Sequence, residues 1–196
     1  MTKGDETRGA ILDEALALAS RVGFTGLTIG QLAEQTGMSK SGLFAHFRSK
    51  EQLQLQTLAH ARHRFIDTTV RPTLATPRGE KRLRELFERW LAWETETLPG
   101  GCIFVTGSIE FDDQPGAMHD ALVADQRDWL DTIATVAETA VTEGDLRPDA
   151  DPRQVAFEIQ ALILGFHHAT RLLDDERALD HARNAFEAIL DHARAH

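Results

Sequence analysis

Residues 27–53 read LTIGQLAEQTGMSKSGLFAHFRSKEQL, and this stretch decides the fold of the N-terminal part of the chain. Thr28 and Ser39 each precede a short run of residues with helical spacing, and their hydroxyls can cap the helices that begin there. Gly37 lies where the first of these helices must end, since glycine tolerates the left-handed backbone of a helix C-terminus. Two helices joined by such a short turn form a helix-turn-helix, whose second helix can enter the major groove of DNA.

A set of residues at fixed spacing makes this motif more specific than a bare helix-turn-helix. They are Thr28, Leu32, Ala33, Thr36, Gly37, Met38, Ser39, Gly42, Leu43, Phe44, His46, Phe47, Lys50, Glu51 and Leu53. Through these residues the stretch resembles the DNA-binding domain of the TetR family of transcriptional regulators. The first helix of that domain is matched by Ile11, Ala15, Leu18, Gly23, Phe24 and Leu27. The family usually has tyrosine at the position of Phe44, so a phosphate contact through that hydroxyl is missing here.

Helical periodicity recurs along nearly the whole chain and no stretch has strand character, which predicts an all-α fold. We expect helices at about residues 5–22, 29–36, 40–46, 50–70, 81–97, 102–110, 117–142, 152–173 and 176–194. Gly23 is predicted to end the first of them and Pro72 the fourth. The resemblance implies a three-helix DNA-binding head (residues 1–50) and a helical-bundle ligand-binding and dimerisation body (residues 51–196), linked by the fourth helix.

The charge of the chain is unevenly distributed. The formal net charge of −10 at first argues against a nucleic-acid partner. However, residues 1–66 carry eight Lys or Arg against six Asp or Glu, a net +2, while residues 67–196 carry 13 against 25, a net −12. An acidic C-terminal part would repel DNA and favour docking by the N-terminal part. Alternatively, the acidic helices only keep the protein soluble.

Cysteine content and hydropathy predict the compartment. The single cysteine cannot form an internal disulfide, which suits a reducing environment. The N-terminal residues lack the apolar core of a signal peptide, and no run approaches the ~18 consecutive apolar residues of a membrane span. We therefore expect a soluble, cytoplasmic protein with no membrane partner.

The predicted DNA-contacting residues lie on the second helix of the motif and at two helix N-termini. They are Thr28, Lys40, Ser41, Gly42, Phe44, Ala45, His46 and Lys50. Lysine can donate to guanine or phosphate, glycine allows close backbone approach, and helix N-termini attract phosphate. The resemblance implies phosphate contacts at Thr28, His46 and Lys50. Thr28 and Ser39 are also helix caps, and Phe47 is expected in the core.

The predicted dimer interface lies on the last two helices. One face of the helix at 152–173 is formed by Phe157, Gln160, Ala161, Leu164 and His168, and another by Val155, Ile159, Leu162 and Phe166. A helix with two apolar faces is buried on two sides, so one face can pack in its own core and the other against a partner. On the last helix, Phe186 and Leu190 are expected to complete the interface. The alternative is that all these residues form the core of a monomer.

Large side chains in the body suit a pocket for an apolar or aromatic small molecule. The candidate lining and anchoring residues are Trp90, Trp93, Phe104, Phe111, Met118, Arg127, Trp129, Phe166 and His167. The alternative is that aromatic residues at helical spacing simply form the core.

Metal binding and catalysis find little support in the sequence. The nearest histidine clusters are His60/His63, His167/His168 and His181/His192/His196, and none has the dense Cys/His spacing of a structural zinc site. Cys102 would need a histidine as base, and no nucleophile motif surrounds it. We therefore expect no cofactor, no metal and no enzymatic activity.

These observations together predict a dimeric, sequence-specific DNA-binding transcriptional regulator. Its partners would be a second copy of the chain, a palindromic operator in double-stranded DNA and a small apolar or aromatic effector that releases it as a repressor. The alternative is a helical small-molecule-binding or interaction protein that does not read DNA specifically.

Overall fold

The computed structural model describes residues 3–195, in which the regular elements are helices and no strand occurs. The α-helices are α1 (Lys3–Gly26), α2 (Ile29–Thr36), α3 (Lys40–Phe47), α4 (Lys50–Phe65), α5 (Arg71–Ala75), α6 (Glu80–Ala92), α7 (Ile103–Glu110), α8 (Ala117–Thr142), α9 (Pro152–Arg171) and α10 (Ala178–Ala193). Two π-helical turns, Ile66–Val70 and Trp93–Thr97, follow α4 and α6. The predicted all-α fold is confirmed.

Side-chain caps begin the helices of the motif as predicted. The Thr28 hydroxyl accepts a hydrogen bond from the backbone N–H of Gln31 at 3.2 Å, and the Ser39 hydroxyl accepts one from Gly42 at 3.1 Å. Gly37 follows α2 with φ of 68°, in the left-handed region. Each cap satisfies a backbone donor that has no partner inside its helix, which fixes where the helix begins.

One predicted helix end is confirmed and one is wrong. Gly23 adopts φ of 74° and ψ of 169°, which are not helical values, so the first helical segment ends there as predicted, and a short second segment continues to Gly26. Pro72 lies in the first turn of α5, where a missing N–H costs no hydrogen bond, so it continues the helical path instead of stopping it.

The chain divides into two compact units. Unit 1 comprises Met1–Ile66 and Thr95–Asp125, and unit 2 comprises Asp67–Glu94 and Gln126–His196. The fully buried side chains of unit 1 include Phe24, Leu27, Leu32, Leu43, Phe47 and Leu53. Those at the centre of unit 2 include Leu83, Leu86, Trp90, Ile133 and Ile163. The assignment of a DNA-binding role to residues 1–50 and of ligand-binding and dimerisation roles to residues 51–196 stays a prediction.

Across the described part of the chain, no helix combines the length and apolarity needed to span a membrane.

Candidate functional site

Helix α3 has one buried side and one open side. Leu43 and Phe47 are fully buried in unit 1, which anchors the helix. Of the residues predicted to contact DNA, those exposed on this helix are Lys40, Ser41, Phe44 and Ala45. Phe44 is 56% exposed, an unusual setting for a phenyl ring that no partner covers. The open side is therefore a continuous surface of small, basic and aromatic groups.

The start of α2 lies close to the lysine of α3. A Cβ atom added at Gly30 would lie 3.8 Å from both the Nζ of Lys40 and the hydroxyl of Thr28. The sequence analysis did not single out Gly30. Because glycine has no side chain, the space between Thr28 and Lys40 stays open. A hydroxyl, an ammonium group and a helix N-terminus meet here, which is chemistry suited to a phosphate oxygen.

Two other predicted contact residues have partners within the chain. The Nζ of Lys50 donates to the backbone carbonyl of Thr25, which joins the first turn of α4 to the end of α1. Gly42 donates its N–H to Ser39, and a Cβ atom at Gly42 would lie 3.1 Å from the Ser39 hydroxyl. Both residues thus have a structural role within unit 1. A DNA contact would use the remaining donors of the Lys50 ammonium group.

Glu110 is the last residue of α7. Its carboxylate accepts from the N–H of Phe24 at 2.7 Å and from the hydroxyl of Thr25 at 2.6 Å. The bend at Gly23 leaves the Phe24 N–H without a partner in its helix, and the carboxylate supplies one. Gln54 donates to the carbonyl of Phe24 at 2.6 Å. Glu110 and Gln54 therefore fix the backbone at Phe24, just before the helix-turn-helix, through hydrogen bonds to its N–H and its carbonyl.

The predicted ligand-binding residues belong to both units. Phe104, Phe111 and Met118 belong to unit 1, where Phe104 packs against Phe65 with ring centroids 5.6 Å apart. Arg127 is exposed, because its position on α8 faces away from the apolar side. The assignment of these residues to a ligand pocket stays a prediction.

Unit 2 contains a narrow apolar cavity. It is lined by Leu83, Leu86, Phe87, Trp90, Trp129, Ile133, Ile159 and Ile163. The space between these side chains leaves no room for a water molecule. The Nε1–H of Trp129 donates to Gln160 at 3.1 Å, and Trp90 contacts Phe166 edge-on at 5.9 Å between ring centroids. Trp90 and Trp129 are thus the predicted residues that line this cavity.

A buried ionisable pair joins α9 to the π-helical turn after α6. The Nδ1 of His167 lies 2.9 Å from the Oε1 of Glu94, and the two side chains are 13% and 1% exposed. His167 was predicted as a polar anchor, whereas Glu94 was not, because nothing in its sequence neighbourhood distinguishes it from the exposed glutamates of the same helix.

The outer face of α9 matches one of the two predicted faces. Phe157 and Leu164 are 67% and 41% exposed. Ala161, which lies between them in the chain, and His168, which follows them, are also exposed, whereas Gln160 is half-buried. The sequence missed Leu172, an exposed leucine just past the end of α9 that continues the same stripe. The opposite face packs into unit 2 through residues that include Val155, Ile159 and Phe166.

Phe186 and Leu190 were predicted at the dimer interface, and their placement there was wrong. Both are buried within unit 2, where the ring of Phe186 stacks on Phe87 with centroids 4.2 Å apart. Phe186 and Leu190 on the apolar face of α10 therefore pack within their own chain.

Potential metal ligands do not cluster in the described residues. No group of three or more His, Cys, Asp or Glu side chains there could hold a metal ion. Cys102 is buried, and the Nδ1 of His119 lies 3.2 Å from the Oδ1 of Asp120.

The chain is similar to known DNA-binding regulators over nearly its whole length. Residues 11–57 match the model described as bacterial regulatory proteins, tetR family, and residues 79–186 match the model described as tetracyclin repressor-like, C-terminal domain. The HTH-type transcriptional regulator SrpR of Pseudomonas putida is 24% identical over 96% of this chain and 87% of its own length. The tetracycline repressor protein class C of Escherichia coli is 38% identical over 37% of this chain and 31% of its own length. A TetR transcriptional regulator from Chloroflexus aurantiacus, known from its crystal structure, is 27% identical, with both chains fully covered and a TM-score of 0.84.

Proposed function

The chain belongs to the TetR family of transcriptional regulators, and from this premise we propose that it is a dimeric repressor whose α3 helices read a palindromic operator. The observation that carries the proposal is the open side of α3. Lys40, Ser41 and Phe44 are exposed there, while Leu43 and Phe47 hold the helix rigidly from behind. A rigid helix with short and basic exposed side chains fits the major groove.

Contacts to the DNA backbone would position this helix. Thr28 and Lys40 converge beside Gly30 at the N-terminus of α2, and Lys50 and His46 flank the start of α4. Such groups bind phosphates regardless of sequence and set the register in which α3 meets the bases. Gly42 and Ala45 leave room for close approach, and Phe44 offers an apolar surface for a thymine methyl group.

The exposed stripe on α9 is the proposed dimer interface, with a second copy of the chain as its occupant. One short helix discriminates few base pairs, whereas two half-sites read by a symmetric dimer multiply the discrimination. Phe157, Ala161, Leu164 and His168 supply a self-complementary surface of mixed apolar and polar groups. Gln160, half-buried and bound to Trp129, lies at its edge.

The proposed effector is a small molecule with an apolar or aromatic part that binds in unit 2. Trp90, Trp129 and the residues around them form its candidate site, with Trp93, Phe166 and His167 nearby. Because the cavity leaves no room even for water, a ligand would bind a form in which these side chains have moved apart. Release from DNA follows if the ligand binds that form more tightly than the DNA-binding form.

The experiment that tests this function is selection of DNA from a random double-stranded pool by the purified protein, followed by sequencing. The expected result is an enriched palindrome whose half-sites are about one helical turn apart. Absence of enrichment at low salt would favour the alternative of a helical small-molecule-binding protein. Since the proposed operator is chromosomal DNA, we also propose a cytoplasmic location.

A further inference from the structure

The segment that joins α1 to the helix-turn-helix, residues 23–26, reads Gly-Phe-Thr-Gly. Glycine restrains the backbone less than any other residue, so Phe24 and Thr25 lie between two flexible positions. Packing fixes the first of them, because the Phe24 side chain is fully buried. Thr25 is exposed, so packing does not hold its side chain. The orientation of Thr25 therefore depends on its hydrogen bonds.

Side chains from two other helices of unit 1 bind Thr25. Its hydroxyl donates to the Oε1 of Glu110 on α7 at 2.6 Å, and its backbone carbonyl accepts a hydrogen bond from the Nζ of Lys50 on α4. The Oε2 of the same glutamate accepts from the N–H of Phe24 at 2.7 Å. The two carboxylate oxygens thus hold two neighbouring residues of one segment, and this segment carries the acceptor for Lys50.

The bond to Thr25 restricts a side chain that is otherwise mobile. Lys50 is exposed and is the first residue of α4. A free lysine side chain samples many rotamers, and ordering it when a ligand binds lowers the affinity. The bond to the Thr25 carbonyl removes part of this freedom before DNA arrives and leaves two N–H donors for a phosphate oxygen. Helix N-termini also attract phosphate, so the first turn of α4 favours the same ligand.

We propose that Glu110 is a positioning residue for DNA binding, which fixes Thr25 so that its carbonyl holds the Lys50 ammonium group ready for a backbone phosphate. The inference deepens the proposed function and rests on the phosphate contact of Lys50. Glu110 does not contact DNA in this role. Its charge alone would oppose binding, because a carboxylate repels the phosphates of DNA.

Binding to DNA separates this role from an effect of charge. Phosphate contacts do not depend on sequence, so the ligand can be a duplex of arbitrary sequence at low salt. Glu110→Ala should weaken binding of the full-length protein at least about fivefold, since each protomer must then order one long side chain on binding. Glu34→Ala is the matched control, because Glu34 is an exposed glutamate of α2 in the same unit. Loss of its negative charge should leave binding unchanged or strengthen it.

A double-mutant cycle with Lys50→Ala tests whether Glu110 acts through the lysine. Lys50→Ala should weaken binding by itself and lower the slope of log affinity against log salt by about one per protomer. In the Lys50→Ala background, Glu110→Ala should cause no further weakening. A general structural role of Glu110 would instead weaken binding by the same factor in both backgrounds. All variants are compared at a temperature at which circular dichroism shows each of them folded.

Two milder variants decide the question if Glu110→Ala does not fold. Thr25→Val removes only the hydroxyl donor and should weaken binding in the same way, again only while Lys50 is present. Glu110→Gln keeps a side chain that can bond to both the Phe24 N–H and the Thr25 hydroxyl, so it should retain most of the affinity.

Binding by Glu110→Ala that equals or exceeds that of the unaltered protein would overturn the inference, as would equal weakening in the two backgrounds. Unchanged binding by Lys50→Ala would also overturn it, because there would then be no phosphate contact to position. None of these results decides the proposed function, which the selection of an operator from the random pool tests separately.

Discussion

The carboxylate of Glu110 accepts a hydrogen bond from the backbone N–H of Phe24 over 2.7 Å, although the two residues are 86 positions apart in the chain. The bond exists because the bend at Gly23 frees that N–H and α7 ends beside it. The end of α7 therefore sets the conformation of the chain immediately before the helix-turn-helix.

The first prediction concerns this bond. Glu110→Ala removes the acceptor for two donors, the Phe24 N–H and the Thr25 hydroxyl, and should lower the free energy of unfolding by about 1–3 kcal/mol. For a chain of this length that corresponds to a melting temperature lower by roughly 3–10 °C. Ile109→Ala is the control, since Ile109 is the exposed neighbour and should change the melting temperature little. Equal melting curves for the two variants would count against the role of Glu110.

The second prediction compares two glycines of α1. A Cβ atom at Gly23 would lie 1.9 Å from the Oε1 of Glu110, and φ of 74° strains any other residue, so Gly23→Ala should destabilise the protein by more than about 1 kcal/mol. A Cβ atom at Gly9 would have no atom within 4 Å. Gly9→Ala should therefore stabilise α1 by about 0.5–1 kcal/mol. Chemical denaturation measures both effects. A denaturant midpoint below that of the unaltered protein for Gly23→Ala and above it for Gly9→Ala would confirm both predictions.

The third prediction tests the dimer surface. The double variant Phe157→Asp, Leu164→Asp places charges on the exposed stripe of α9. It should convert the proposed dimer to monomer, because two copies would bury four carboxylates against each other. Sedimentation velocity at micromolar concentration measures this. The control is Leu74→Asp, a change at an exposed leucine of α5. A monomeric unaltered protein, or a dimer that persists in the double variant, would remove α9 from the interface.

The sequence was sufficient for the helices whose ends carry a chemical signal. Caps at Thr28 and Ser39 were predicted because their side chains act on backbone groups three residues away. The end of the first helical segment at Gly23 was predicted, whereas the contact of Glu110 with the next residue was not, because Glu110 is distant in sequence. In the same way, the sequence places Phe186 and Leu190 on an apolar helix face that could meet a partner. The structure shows that the ring of Phe87 covers Phe186 within the same chain.

The residues of the candidate sites also differ in whether local sequence predicts their setting. Exposure of Lys40, Ser41 and Phe44 followed from the helical spacing of Leu43 and Phe47, which is local information. The partners of Glu94 and Glu110 come from other helices, so no local pattern distinguishes these two acids from the exposed ones.

The fourth prediction concerns acid stability. Hydrogen bonds from Arg194, and then from Arg84, hold the pKa of Glu80 at about 2, below its ordinary value of 4.5. A group whose pKa is lowered by folding stabilises the folded state above pH 4.5, and this contribution is lost as the pH falls from 4.5 toward 2. Glu80→Gln should thus lower the melting temperature at pH 7 and weaken its dependence on pH in that acidic window. Glu138→Gln, at an exposed site of α8, should leave both the melting temperature and its pH dependence nearly unchanged.

The last prediction tests the DNA-contacting side of α3 with two lysines. Lys40 is exposed beside the N-terminus of α2, and Lys81 is exposed on α6 in unit 2. If Lys40 contacts a phosphate, Lys40→Ala should weaken binding to the selected operator and to unrelated DNA by similar factors. The slope of log affinity against log salt should then fall by about one per half-site. If Lys40 instead contacts guanine, the loss should be confined to the operator, at about 1–3 kcal/mol per contact. Lys81→Ala changes the net charge equally and should alter neither quantity, and equal effects of the two variants would show that the open side of α3 does not face DNA.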